Sequence, residues 1–220
     1  MRKPVEHGNT TTSIILGTSS IIIAILTKME VISILFWVPI WLGLFLYDVP
    51  IRRVVRSHED TLMFLLIVII SIFSIYLSHF LIFPYLIFLA TYAARNRLAA
   101  MKLNFIGTGL GIFAYVLLFA TTSGLQGYYY FLLVPSLFAY MIGSEFTVRS
   151  KLKRDRWLLV YDLFPPILSL LNPVFVVFSL SLVRIPVAIK SKGLKPIGIT
   201  ETLLLVAVTF TISLFYVLNR

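Results

Sequence analysis

Apolar residues dominate long stretches near positions 10–27, 31–48, 61–94, 104–122, 127–146, 157–189 and 199–218, and the short pieces between them hold most of the charged side chains. One helix crossing a bilayer needs about 17 to 25 such residues, so most stretches predict one membrane-spanning helix each. Two are too long for that. The stretch 61–94 has 34 residues, or about 51 Å of helix at 1.5 Å per residue, against a hydrocarbon layer of about 30 Å. It must tilt steeply or fold back.

The basic residues choose between these. Lys and Arg collect in short cytoplasmic loops, and two loops on one side require an even number of crossings between them. Five clusters are basic: Arg2 and Lys3; Arg52, Arg53 and Arg56; Arg95, Arg97 and Lys102; Arg149, Lys151, Lys153, Arg154 and Arg156; and Arg184, Lys190, Lys192 and Lys195. Together they hold 17 of the 19 basic residues. Placing all five inside splits 61–94 near Ser78 and His79, and splits 157–189 near Asn172 and Pro173. The prediction is an all-α, polytopic bundle of about nine transmembrane helices. It forms one domain over 1–220, without a soluble domain, in the cell membrane, with the N-terminus cytoplasmic and the C-terminus outside. A seven-helix alternative puts Arg95, Arg97 and Lys102 outside, against the charge rule.

Composition agrees. The 220-residue chain is 59% apolar and 13% charged, with a mean hydropathy of +0.97, whereas soluble domains are about half apolar and a quarter charged. The net charge of +10 is scattered among apolar runs, which fits membrane orientation and not a nucleic-acid surface. The absence of cysteine excludes disulfides, thiolate zinc sites, cysteine-ligated iron–sulfur clusters and thioether haem attachment. No cofactor and no metal site are expected. Arg2 and Lys3 before an apolar run imitate a secretory signal, but no small-residue cleavage site precedes Lys28 and another apolar stretch follows, so the run reads as a retained first helix.

Lipid offers no hydrogen bonds, so acids at or inside a span carry most of the information. Asp48 is expected to end the second helix and Glu145 the sixth, at the partly negative end of the helix dipole, where an acid needs a partner. Each has an arginine four residues on, Arg52 and Arg149, the favourable order where the helix continues. Pro50 biases Val49 away from helix, which makes the Asp48 pairing tertiary. Val38 and Pro39 precede Asp48 much as Val134 and Pro135 precede Glu145. That match reads either as two related halves or as chance. Asp162 lies within an apolar stretch and is expected to face the bundle interior with an arginine from the basic loops, as a functional group or a structural ion pair.

Glu6 and His7 stand at the mouth of helix one, where a Glu–His pair can exchange protons or hydrogen-bond a head group; the plainer reading is a helix-entry turn. His58, Glu59 and Asp60 read as helix capping before Leu62 rather than a metal site. Gly107-x-x-x-Gly111 reads as a small face for close helix contact, not a dinucleotide loop. Bends at Pro39, Pro84, Pro135, Pro165, Pro166 and Pro173 suit a cavity for lipid or isoprenoid and suit a transporter equally.

Nine helices with charged motifs at the cytoplasmic ends of helices two and six resemble the UbiA-type membrane prenyltransferases. In those enzymes, paired aspartates at both places hold Mg²⁺ against a prenyl diphosphate. Here the sequences read Asp48-Val-Pro-Ile-Arg52 and Glu145-Phe-Thr-Val-Arg149, with arginine where the second carboxylate stands. Arginine binds phosphate directly and bidentately but cannot cage Mg²⁺. Pro4-x-Glu6-His7-Gly8 and Leu194-Lys-Pro-Ile-Gly198-Ile-Thr-Glu201 resemble the uncharacterised YwiC-like family, which implies an integral membrane protein. The resulting expectation is a mouth of Glu6, His7, Asp48, Arg52, Arg53, Arg56, Glu145, Arg149 and Asp162 that binds an anionic lipid or isoprenoid head group. The alternatives are a small-solute transporter and an accessory subunit of a membrane complex. Membrane lipids are the expected partners, and the oligomeric state is not written in the sequence.

Overall fold

The structure is a computed structural model that describes residues 6–26, 82–94 and 127–219, with shorter pieces at 65, 68, 69, 72, 79, 97, 98, 106, 108–110, 112, 113, 116, 117, 119, 120 and 123. Every regular element among them is helical: α1 (Glu6–Leu26), α2 (Ile82–Ala94), α3 (Tyr128–Lys153), a first 3₁₀ arm (Arg156–Leu163 and Pro165–Leu170), a second arm (Pro173–Val183) continuing as α4 (Arg184–Lys190), and α5 (Leu194–Leu218). Three helical segments are long and apolar enough to cross a membrane: Tyr128–Lys153, Pro173–Lys190 and Leu194–Leu218. Helices of this length and apolarity fit association with a membrane. Asp48, Arg52, Arg53, Arg56 and the motif glycines Gly107 and Gly111 lie outside the described residues.

Proline sets the conformation of the arms. Pro165 and Pro166 offer no N–H at the start of their piece, and the turns around them close by bonds to the third residue back, as from Phe164 N–H to Tyr161 O and from Ile167 N–H to Phe164 O. With a rise of about 2.0 Å per residue, the sixteen or so residues of the first arm reach about 32 Å, enough for one bilayer core. The chain then reverses where the sequence predicts it. Asn172 is extended, its side chain accepts from Val174 N–H at 3.0 Å, and Pro173 follows at the first helical position.

Long-range hydrogen bonds from Tyr128 and Lys151 fix the two ends of the bundle. Tyr128 Oη at the start of α3 donates to Leu171 O at 3.4 Å, so the reversal lies beside that end. At the other end, Lys151 Nζ donates to Ala188 O at 3.0 Å and also to Ser191 O. Between Lys151 and Ser191 the chain therefore runs to the Tyr128 end of α3 and back. α5 leaves from the same end and packs along the second arm and α1.

The core joins these elements through Leu16 and Ile23 of α1, Val116 and Phe119, Leu137 and Tyr140 of α3, Phe175 and Phe178 of the second arm, and Val208 of α5. Gly109 approaches the Ile142 side chain of α3, where an added Cβ would stand at 3.8 Å. The outer faces stay apolar: Ile199, Leu203, Val206, Phe210 and Leu214 form an exposed stripe at helical spacing along α5. In water such a stripe would be a liability; in lipid it is the ordinary surface.

Candidate functional site

Three ionisable side chains from three elements meet inside the bundle. Asp162 sits midway along the first arm, Arg184 opens α4 and Glu201 lies two turns into α5. Arg184 is 1% exposed and Asp162 fully buried. The guanidinium is the hub: one Nη donates to Asp162 Oδ1 at 3.2 Å and to Tyr140 O at 2.9 Å, and Nε lies 3.0 Å from the Glu201 carboxylate. Its carbon stands 4.1 Å from the centre of the Tyr140 ring, a cation–π contact out of water.

The remaining oxygens complete the arrangement. Thr147 Oγ1 lies 2.9 Å from Asp162 Oδ2 and 3.0 Å from Gly143 O, and Ser181 Oγ donates to Asp162 O at 2.7 Å. One Glu201 oxygen and the Tyr140 hydroxyl are buried with no hydrogen-bond partner among the described residues. Gly143 supplies the space, because a Cβ there would stand 2.7 Å from Asp162 Oδ1 and 2.8 Å from an Arg184 Nη. Ionised throughout, the cluster carries two negative charges against one positive. Buried charges persist only where geometry and hydrogen bonding are nearly complete; here both Asp162 oxygens have partners, and Arg184 reaches Asp162 Oδ1 through one Nη and Glu201 through Nε.

The expected inward-facing acid with an arginine is therefore present, but the arginine is not from a loop. Arg184 belongs to the interior and not to the cytoplasmic cluster in which charge counting puts it. Asp162 also stands deeper than α-helical spacing predicts: six residues beyond Arg156 amount to about 12 Å in a 3₁₀ arm rather than about 9 Å. Glu201 closes the Leu194–Glu201 motif, and because α5 begins at Leu194 the whole motif lies inside the helix.

Glu145 is corrected in the same way. α3 continues to Lys153, so Glu145 is an interior residue rather than a helix end, and the dipole argument for it lapses. The predicted pairing stands: Arg149 Nε donates to Glu145 Oε1 at 2.7 Å with both side chains mostly buried. Glu6 and His7 form the first turn of α1. The structure brings together Glu145 with Arg149, and Asp162 with two residues outside the predicted mouth.

A second feature lies at the Lys151 end. Lys153, Arg154, Arg156, Lys190, Lys192 and Lys195 are all exposed there, with Asp155 the exposed acid among them. Arg154 adopts a left-handed conformation, φ 56°, which ends α3 and turns the chain along the surface. Trp157, 82% exposed, follows at once, a residue type that favours the head-group layer. α5 starts after Gly193 with no side-chain cap, which leaves the N–H groups of Leu194 and Lys195 without one, Pro196 having none to offer. Among the described residues no group of three or more His, Cys, Asp or Glu is placed to hold a metal.

No family model matches the chain, and neither a curated protein nor a solved structure matches it.

Proposed function

We propose that this is a multi-pass protein of the cell membrane whose basic end binds the phosphate of an anionic lipid or isoprenoid head group. The observation that carries the reading is the set of six exposed cations gathered on one end by the Lys151 clasp, beside an uncapped helix start. Cationic side chains and free N–H groups at a helix N-terminus both favour phosphate oxygens, and a polybasic face gains about 1 kcal/mol per residue near an anionic surface. The binding set moves accordingly from Arg149, which pairs with Glu145, to Lys190, Lys192 and Lys195. Nine helices, a cytoplasmic N-terminus, an outside C-terminus, a UbiA-like bundle without its Mg²⁺ site and kinship with the YwiC-like family are parts of the same proposal, supported by the charge pattern and the short motifs.

The test is native mass spectrometry of protein extracted with lipid. Replacing Lys190, Lys192 and Lys195 together by Ala should strip bound phosphatidylglycerol and added prenyl phosphate while leaving neutral lipid unchanged. Equal retention by the variant and the parent rejects the reading. Loss of one phosphate lipid but not the other identifies the ligand class.

A second reading, a small-solute carrier, is favoured by one observation: a charged cluster buried among helices is the ordinary mark of a substrate or ion path. Uptake by proteoliposomes that Asp162→Asn abolishes would decide for it.

A further inference from the structure

The Thr147 hydroxyl has one hydrogen and two acceptors within reach, Gly143 O at 3.0 Å and Asp162 Oδ2 at 2.9 Å. A helical threonine ordinarily donates to the carbonyl four residues back. If it does so here, the short contact with Asp162 sets two oxygens face to face unless a hydrogen lies on the Asp162 side. The charge count asks for the same hydrogen, since one proton on the cluster makes it neutral in surroundings where net charge is costly.

We propose that Asp162 holds an exchangeable proton, and that the Thr147 hydroxyl turns between Gly143 O and Asp162 Oδ2 as the proton comes and goes. In the loaded state Oδ2–H donates to Thr147 Oγ1, Thr147 donates to Gly143 O, and Oδ1 accepts from Arg184. On release, the proton passes to water and the electron pair stays on the carboxylate. Thr147 swings its hydrogen to Oδ2, and Gly143 O keeps only its helical bond. No other covalent bond changes, and the cluster passes from neutral to one negative charge.

The groups around Asp162 are Thr147 and Tyr140 from α3, Ser181 from the second arm, Arg184 from α4, Glu201 from α5 and Tyr161 on its own arm. Among them only Glu201 competes as a seat for the proton. Its side chain, 14% exposed, is the least buried of the three charged groups, but it meets Arg184 and not Asp162. Arg184 stays charged throughout. The inference rests on the cluster alone and is independent of head-group binding.

Infrared difference spectra of the reconstituted full chain, taken through a pH titration in water and in D₂O, test it. The expected result is one protonated-carboxyl carbonyl band that moves down in D₂O and is lost in Asp162→Asn. Thr147→Val should shift that band up, because the carboxyl hydrogen loses its acceptor. Absence of any such band in the parent, its survival in Asp162→Asn, or its loss in Glu201→Gln instead overturns the proposal. Should Asp162→Asn fail to fold, Thr147→Val decides: an unmoved band also overturns it.

Discussion

A guanidinium shared by two carboxylates is sensitive to every atom around it. Arg184→Met should destabilise the bundle by about 3 to 5 kcal/mol, because it leaves the Glu201 carboxylate, and Asp162 whenever it is ionised, without a counter-ion, and thermal unfolding in detergent reads the loss directly. Arg184→Lys should rescue little, since a single ammonium cannot reproduce the planar fork that reaches Asp162, Tyr140 O and Glu201 at once. Gly143→Ala adds a methyl where both ionic partners already stand within 3 Å. The same measurement should show a loss of about 1 to 3 kcal/mol, typical of overpacking. Gly143→Ala leaves every charge in place, so it separates packing from electrostatics. An unchanged melting temperature in Gly143→Ala would contradict the close approach.

Among the elements, the least regular carry the arrangement. The reversal at Asn172 depends on one side-chain cap, and Asn172→Ala should cost about 1 kcal/mol by loss of the bond to Val174 N–H, measured as faster amide exchange at the turn. That reversal was legible in the sequence because Asn-Pro interrupts a run too long for one helix. The 3₁₀ conformation was not, since apolar runs have no period that distinguishes it from an α-helix, and only Pro165 and Pro166 hinted at it. Glu145 and Arg149 were legible by spacing. Arg184 was missed because the charge rule assigns every cation to a loop; the available signal was its position six residues before Lys190, among Val183, Ile185 and Val187. Gly143 gave no signal, as nothing in a sequence says which small residue faces an ion pair across a bundle.

For the molecule as a whole, the two ends make opposite predictions. The chain has no cysteine, so single cysteines placed at Lys153, Lys192, Asn172 and Asn219 report cleanly. Lys153→Cys and Lys192→Cys should react with a membrane-impermeant maleimide from one side of sealed vesicles, and Asn172→Cys from the other. Asn219→Cys, at the far end of α5, should follow Asn172→Cys. A mixed pattern would dissolve the two-ended architecture and with it the basic face proposed to meet lipid phosphate.

The burial of Arg184 also constrains how the chain enters the bilayer during synthesis. A lone arginine in hydrocarbon is penalised by about 2.5 to 3.5 kcal/mol on insertion scales. Its first counter-ion, Asp162, emerges from the ribosome earlier, and its second, Glu201, later. The two arms must then partition as one hairpin, already paired, while the final helix arrives to a guanidinium still short of a carboxylate. Truncation after Lys192 should leave a nascent hairpin that the translocon releases slowly, and restoring the last helix should speed its departure into lipid.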